Sequence, residues 1–582
     1  MIDAGNTTGA GNTTGAGNVT DAGNVTEAEN VDMTGTSGEI LWKADLENGR
    51  YRNPVLYADY SDPDVIRVGD TYYMTASSFN YTPGLPILTS KDLVNWDVVN
   101  YAVDNIDYPM YRKPAHAKGV WAPAIRYHEG EFYIYYGMPD EGIFMVHTRD
   151  PYGPWSAPVL VLEGKGLIDP CPIWDEDGKA YVVHGYARSR IGFKSILGVF
   201  PMSWDGKNAT GVDHFIFDGT KTQITIEGPK IYKRDGWYYI FAPAGGVKVG
   251  WQTVLRSKDI YGPYEEKIVM RQGDTPINGP HQGGLVSAPD GSEWFLHFQD
   301  KGSFGRITHL QPVIWREDGW PVIGERPDEN GCGQPCLEYE KPYCEENVKP
   351  CYPKASDAFD GEKPGLMWQW SGNHDRAFWD MSESGRGLKL YSLWFEQDLK
   401  RENGGNAKQE TGSVSDVIPQ QMPLLWDCPN LLTQKLICPD FKAETELSVD
   451  GLKAGNMAGL VMLGGQYACL GVLKTEEALT VVYVRSEGED REKKEKVVYS
   501  APLPENTGKV KLGLNFNLPL DGEPVVTMRY LTGDGEWKMM EEPFCPTGHT
   551  WVGARFGLFS ISSVEEEEPG FAEFSYMKVE AD

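Results

Sequence analysis

Long apolar runs are missing from this 582-residue chain. No stretch of eighteen or more hydrophobic residues occurs, so no segment reads as a membrane-spanning helix. Basic residues are scarce as well: 54 Lys and Arg stand against 84 Asp and Glu, a net charge of -30. That balance disfavours nucleic acid and anionic membranes as partners, because both need basic patches. Cysteines are few and odd in number, nine in all, which excludes a disulfide framework. Cys332, Cys336, Cys344 and Cys351 cluster, but without the paired C-x-x-C spacing of a zinc module. They are expected to be reduced thiols in a linker. A charged-then-apolar leader is also lacking. With unpaired cysteines, this places the chain, as an expectation, in the cytoplasm. A neutral substrate such as a sugar is compatible with each of these absences.

Apolar residues make up 40% of the chain and aromatics 12%, a composition that suits a folded, aromatic-rich β protein. The length calls for two or more domains. Residues 1–38 open with a six-residue repeat, "DAGNTTGAGNTTGAGNVTDAGNVT". Such a segment buries too little apolar surface to offset its ordering entropy and is expected to be a disordered spacer. Its sequons at Asn6, Asn12, Asn18 and Asn24 matter only on a secretory route.

Five later segments share one grammar: "DPDVIRVGDTYYMTA" from Asp62, "WAPAIRYHEGEFYIYYG" from Trp121, "DPCPIWDEDGKAYVVHG" from Asp169, "EGPKIYKRDGWYYIFAP" from Glu227 and "HQGGLVSAPDGSEWFLHF" from His281. Each carries an apolar residue four positions after its first, then a turn, mostly Asp-Gly or Glu-Gly, then an aromatic-rich strand. Such turn pairs between apolar runs are a strong hairpin signal because they tolerate positive φ. The starts lie 59, 48, 58 and 54 residues apart. A self-similar unit of about 50 residues with several short strands points to a β-propeller, here of five blades. Equivalent positions in a propeller are related by rotation about its axis. Asp62, Trp121, Asp169, Glu227 and His281 are therefore expected around one central pocket, at the starts of the inner strands.

Singly, each of these residues is more simply a turn former or a satisfied structural side chain. Together, three carboxylates, a Trp and a His at one repeat position form a reactive set. Two carboxylates flanking a scissile bond are the minimum for glycoside hydrolysis, and a third nearby can keep the acid protonated. An aromatic wall suits the apolar face of a pyranose. One His among dispersed carboxylates is a poor transition-metal set, although a hard cation such as Ca2+, or a water, could sit at His281.

At these residues the chain resembles glycoside hydrolase family 43, and within it the β-xylosidase and α-L-arabinofuranosidase branch, over roughly residues 40–582. The resemblance implies an inverting exo-glycosidase that needs no cofactor. It makes Asp62 in "SDPDVIRVGDTYY" the general base, Glu227 in "IEGPKIYK" the general acid, and Asp169 in "LIDPCPIWDEDG" the residue that tunes the acid. It also implies Phe79 in "SSFNYTPGLPI" and Trp121 in "GVWAPAIRY" as walls of the sugar subsite, Arg306 in "FGRITHLQPVIW" as a hydroxyl contact, and His281 as the central histidine. Asp64 departs from the expected pattern, and repeat alignment makes it a local hydrogen-bond acceptor. Inversion by single displacement requires the two carboxyl groups to stand roughly 6.5–9.5 Å apart, leaving room for water.

Blade material is expected to end near residue 331, with 332–354 as a linker. From residue 355 to 582, segments such as "KAETELSVDG" and "ALTVVYVRS" alternate without helical period, which predicts a β-sandwich. The resemblance extends to this domain and implies that one of its loops closes the propeller pocket. Trp551 in "TWVGARFGLFSIS" is the candidate lid, the alternative being a sandwich-core position. Asn80 heads another sequon beside Phe79, where a glycan would obstruct substrate. The substrates implied are xylo-oligosaccharides or arabinosyl groups. A bifunctional xylosidase and arabinofuranosidase, and a non-catalytic sugar-binding propeller, are the competing readings. The oligomeric state is not legible.

Overall fold

The computed structural model describes residues 40–396, 417–487, 494–520, 522–533 and 535–581. The N-terminal repeat expected to be disordered lies outside them. Among the described residues no helix is long and apolar enough to cross a membrane.

Five four-stranded antiparallel sheets, each in simple sequential order, form the five blades. Their inner strands are Asp64–Val68, Trp121–His128, Leu167–Trp174, Lys230–Arg234 and His281–Ser287. The turns that follow use the expected chemistry. Glu129 and Gly130, and likewise Asp235 and Gly236, both take positive φ, the backbone of a tight hairpin. The inner strands of blades I to IV lie side by side, while that of blade V meets the second strand of blade IV, Trp237–Ala244, and returns against blade I. Gly284 allows this closure, because a Cβ there would come within 2.6 Å of Asp64 Oδ1. Arg50–Arg52 pairs with Glu338–Glu340 to lock the ring. The Leu56 N–H donates to Thr308 O of blade V at 3.3 Å, and Thr308 N–H returns a bond at 3.0 Å.

Segment 332–354 is packed rather than loose. Cys336 is buried, and its N–H donates to Gln311 Oε1 at 2.8 Å. Lys341 reaches Asp45 at 2.6 Å and Asp92 at 2.8 Å. Among the described residues no disulfide joins any of the nine cysteines.

The C-terminal domain packs two seven-stranded antiparallel sheets. One has Arg555–Ser562 and Asn456–Leu463 at its centre, the other Phe571–Ala581 and Phe441–Ser448. In "FKAETELS" Phe441, Ala443, Thr445 and Leu447 are buried and the residues between them half-buried, the period-two pattern of a strand with one face in the core. The sandwich docks on blade I. Asn80 Nδ2 donates to Ser371 O at 2.7 Å, and the buried Arg555 guanidinium stacks 4.2 Å over Tyr81. Asn80 is thus an interface residue.

Candidate active site

The axial positions are reached through strained backbone. Asp62, Ala122 and Asp169 all have positive φ, as does Gly228. The first strand pairings of blades II, III and V are broken by bulges at Trp121/Ala124, Ile168/Cys171 and His281/Gly283. A bulge re-aims side chains that a regular strand would send into the blade. The site residues consequently do not share one strand position. Trp121 and His281 begin their strands, Asp169 sits inside its strand, and Asp62 and Glu227 precede theirs.

Asp62 is 4% exposed and accepts hydrogen bonds from Ser61 Oγ at 2.7 Å, Ser77 Oγ at 2.6 Å and Arg306 Nη1 at 3.0 Å. Ser77 Oγ in turn accepts from Ala122 N at 2.7 Å, tying the carboxylate to blade II. Arg306 also donates to Ser61 Oγ at 2.8 Å and lies 4.6 Å over the Phe298 ring. Asp169 is buried and accepts from Gly228 N at 2.7 Å and from Gln282 Nε2 at 3.4 Å. Burial, and then the negative charge of Asp62, push the Asp169 carboxyl up to about 6. Glu227 keeps 29% of its side chain exposed and places Oε1 3.4 Å from His281 Nε2. Its carboxyl is pushed up to about 8, by burial first and then by Asp169, while Arg306 opposes. His281 is pushed down to about 3, by burial first and then by the charge of Arg306, so its ring is neutral. Both its nitrogens are buried without a hydrogen-bond partner among the described residues.

The aromatic wall is also assembled. Phe79 and Trp121 have ring centroids 6.3 Å apart, and Trp551 meets Trp121 edge-on at 4.8 Å. Trp551 is 37% exposed, so it is not a core residue of the sandwich. Its loop is fastened by Asp59, which accepts from Arg306 N and from Gly553 N, each at 2.9 Å. One carboxylate therefore holds both the blade V arginine strand and the sandwich loop.

Asp64, two residues from Asp62, points away from this group. It accepts from Ile125 N at 2.9 Å and pairs with Arg126 at 2.6 Å across the junction of blades I and II. The sequence reading did not find Ser61, Ser77, Asp59, Gln282 or Arg190, whose guanidinium lies 5.2 Å over Trp121. Ser61 and Gln282 flank expected residues and were within reach of that reading. Ser77, Asp59 and Arg190 join the site only through the fold.

This arrangement pairs a proton-bearing carboxyl with a second carboxylate positioned by three donors, under an aromatic wall. It is equipped for acid–base hydrolysis of a glycoside. The description "Glycosyl hydrolases family 43" matches residues 51–321, and "Beta xylosidase C-terminal Concanavalin A-like domain" matches residues 416–580. A putative β-xylosidase of Xylanibacter ruminicola is 36% identical over 518 residues, covering 89% of this chain and 87% of that one. The chain belongs to glycosyl hydrolase family 43. The family 43 chain is also 34% identical over 372 residues to a non-reducing end α-L-arabinofuranosidase of Bacteroides ovatus, covering 60% of this chain and 67% of that one. Among solved structures, a mutant family 43 protein of Bacillus licheniformis matches with a TM-score of 0.74 at 26% identity, over 92% of this chain and 100% of that one. The five-bladed propeller and C-terminal sandwich are thus shared with the family. Among the described residues, no group of three or more His, Cys, Asp or Glu could hold a metal ion.

Proposed function

We propose that the chain is an inverting exo-glycosidase that releases xylose from the non-reducing ends of xylo-oligosaccharides. The observation that carries this reading is the division of labour between carboxyls. Glu227 keeps its proton to about pH 8, while Asp62 is set as an acceptor by Ser61, Ser77 and Arg306. Glu227 gives its proton to the glycosidic oxygen as the bond to the leaving group breaks. Asp62 takes a proton from the water that attacks the opposite face of the anomeric carbon. Asp169 keeps Glu227 protonated at neutral pH. Phe79 and Trp121 seat the terminal sugar and Arg306 meets its hydroxyls, while Trp551 narrows the mouth and favours chain ends over chain interiors. Two carboxyls and water complete the chemistry, with no cofactor in any step.

A second reading, α-L-arabinofuranosidase or a bifunctional enzyme, is supported by the similarity to the Bacteroides ovatus protein. Hydrolysis of aryl β-D-xylopyranoside and aryl α-L-arabinofuranoside by wild type and Asp62→Ala, with the product anomer followed by NMR, tests both. Release of α-xylose first, lost in the variant, supports inversion with Asp62 as base. Inactivity on both, with measurable binding of xylo-oligosaccharides, would leave a sugar-binding protein.

The two unpartnered ring nitrogens of His281 support a bound water there, or a hydrated cation such as Ca2+ whose oxygen shell is completed by water and reaches the imidazole through it. When bound, the ion would add positive charge beside Glu227. An ordered water would satisfy the same nitrogens without that charge. Adding Ca2+ to chelator-treated protein separates the two, because only the cation moves the alkaline limb of activity towards acid. Nine cysteines without a disulfide among the described residues, with Cys351 and Cys545 exposed, support a reducing compartment, consistent with a cytoplasmic enzyme.

A further inference from the structure

Loop 187–195, "ARSRIGFKS", has no part in the chemistry above, yet it is fastened to both sides of the pocket. At one end Ala187 packs in a cluster with Phe79, Trp121, Ile168 and Val552. A short helix, Arg188–Ile191, then carries Arg190 over Trp121, where it is anchored by Asp140 with Nη2 to Oδ2 at 3.1 Å. At the other end Ser195 Oγ accepts from Thr225 N at 2.8 Å, two residues before the acid. Lys194, between these anchors, lies close enough for its charge to act on the Glu227 carboxyl. The loop therefore borders the side of the pocket from which the acid protonates the departing sugar.

Outward from this rim the loop offers aromatic surface. Phe193 is 37% exposed and Phe215, on the last strand of blade III, is 64% exposed. Their ring centroids are 5.9 Å apart, and both rest on Tyr186, at 5.1 and 5.3 Å. The Tyr186 hydroxyl donates to Asp213, which fixes the ring beneath them. Scattered exposed apolar residues are ordinary, but contiguous ones beside a site mark a binding surface. Aromatic faces suit the C–H faces of pyranose rings, and a neutral sugar has no conflict with the chain's negative charge.

We propose that Phe193 and Phe215 form a stacking shelf for the sugars of the leaving group beyond the first, so that the enzyme prefers xylotriose and xylotetraose to xylobiose. This rests on the xylosidase reading. The competing explanation is that the cluster only stabilises the edge of blade III.

The test measures kcat/KM on aryl β-D-xylopyranoside, xylobiose, xylotriose and xylotetraose for wild type, Phe193→Ala, Phe215→Ala and Phe193→Leu. The leucine variant keeps apolar packing and loses the ring face. The shelf is supported if wild type favours the longer substrates and the variants lose about five- to tenfold on xylotetraose. The aryl xyloside and xylobiose should then stay within about twofold of wild type. Equal losses on every substrate, no loss on any, or a wild type indifferent to chain length would each overturn it. A wild type inactive on the aryl xyloside and on every xylo-oligosaccharide would overturn the xylosidase reading instead, and the shelf with it.

Discussion

Replacing Glu227 by Gln should make the protein more stable and a poorer catalyst, with the stability gain depending on pH. The Glu227 carboxyl has an ordinary value of 4.5 and is held at about 8 in the fold. Below pH 4.5 the side chain is protonated in folded and unfolded chains alike, and the substitution changes little. Between the two values the unfolded chain ionises freely while the folded chain must retain its proton. The wild type therefore loses stability as pH rises, and the full loss is present above pH 8. Each pH unit across that window is worth about 1.4 kcal/mol, giving on the order of 5 kcal/mol, reduced to about 3 kcal/mol by the 29% exposure of the side chain. Gln cannot ionise and escapes this loss. Denaturant midpoints for both proteins at pH 5 to 9 should diverge steadily and become parallel above pH 8. Activity on xylobiose should fall about 10²–10⁴-fold, while an aryl xyloside with a good leaving group loses far less. Midpoints separated by a constant amount at every pH would show that Glu227 titrates normally, and the argument for it as a proton reservoir would collapse.

Asp169→Asn removes the charge that helps hold the Glu227 proton. The alkaline limb of kcat/KM on xylobiose should move towards acid by about one pH unit, and an unmoved limb would exclude Asp169 as the tuning group. Asp59→Ala strips the acceptor from two buried N–H groups, at about 1–3 kcal/mol each. Hydrogen exchange at Gly553 should speed up and the KM for xylobiose should rise, whereas Asp59→Asn should do less. Arg126→Met leaves the Asp64 carboxylate buried and uncompensated, costing about 3–5 kcal/mol. The Asp64→Asn/Arg126→Met double variant should recover most of that in thermal melting, and failure to recover would show that the pair does not act as a unit.

The repeat grammar carried much of the fold because each blade must solve the same problem. An inner strand at the axis needs a tight turn, so Glu129-Gly130 and Asp235-Gly236 stand out beside their aromatic strands. The same alignment brought Asp62, Asp169, Glu227 and His281 into one neighbourhood. It could not show that they occupy different offsets along their strands, because bulges and positive φ are set by packing between blades. Ser77 illustrates the limit for contacts. It binds Asp62 fifteen residues earlier and the backbone of Ala122 forty-five residues later, and nothing in "ASSFN" marks it. Trp551 was visible as an aromatic near the expected loop. Its place beside Trp121 depends on Asp59, an acid in the unremarkable run "YADYSD".

Ring closure has a consequence for the order in which the molecule is made. The strand that locks the ring, Arg50–Arg52, finds its partner only at Glu338–Glu340, and Asp62, the base proposed above, finds Arg306 across 244 residues. During synthesis the first four blades can emerge and stack while Asp62 still lacks its arginine. Residues 548–553, which carry the aromatic gate, arrive some two hundred residues later still. On the proposed roles, the nascent chain lacks a complete pocket until residues 548–553 have emerged, so the site is assembled late rather than blade by blade.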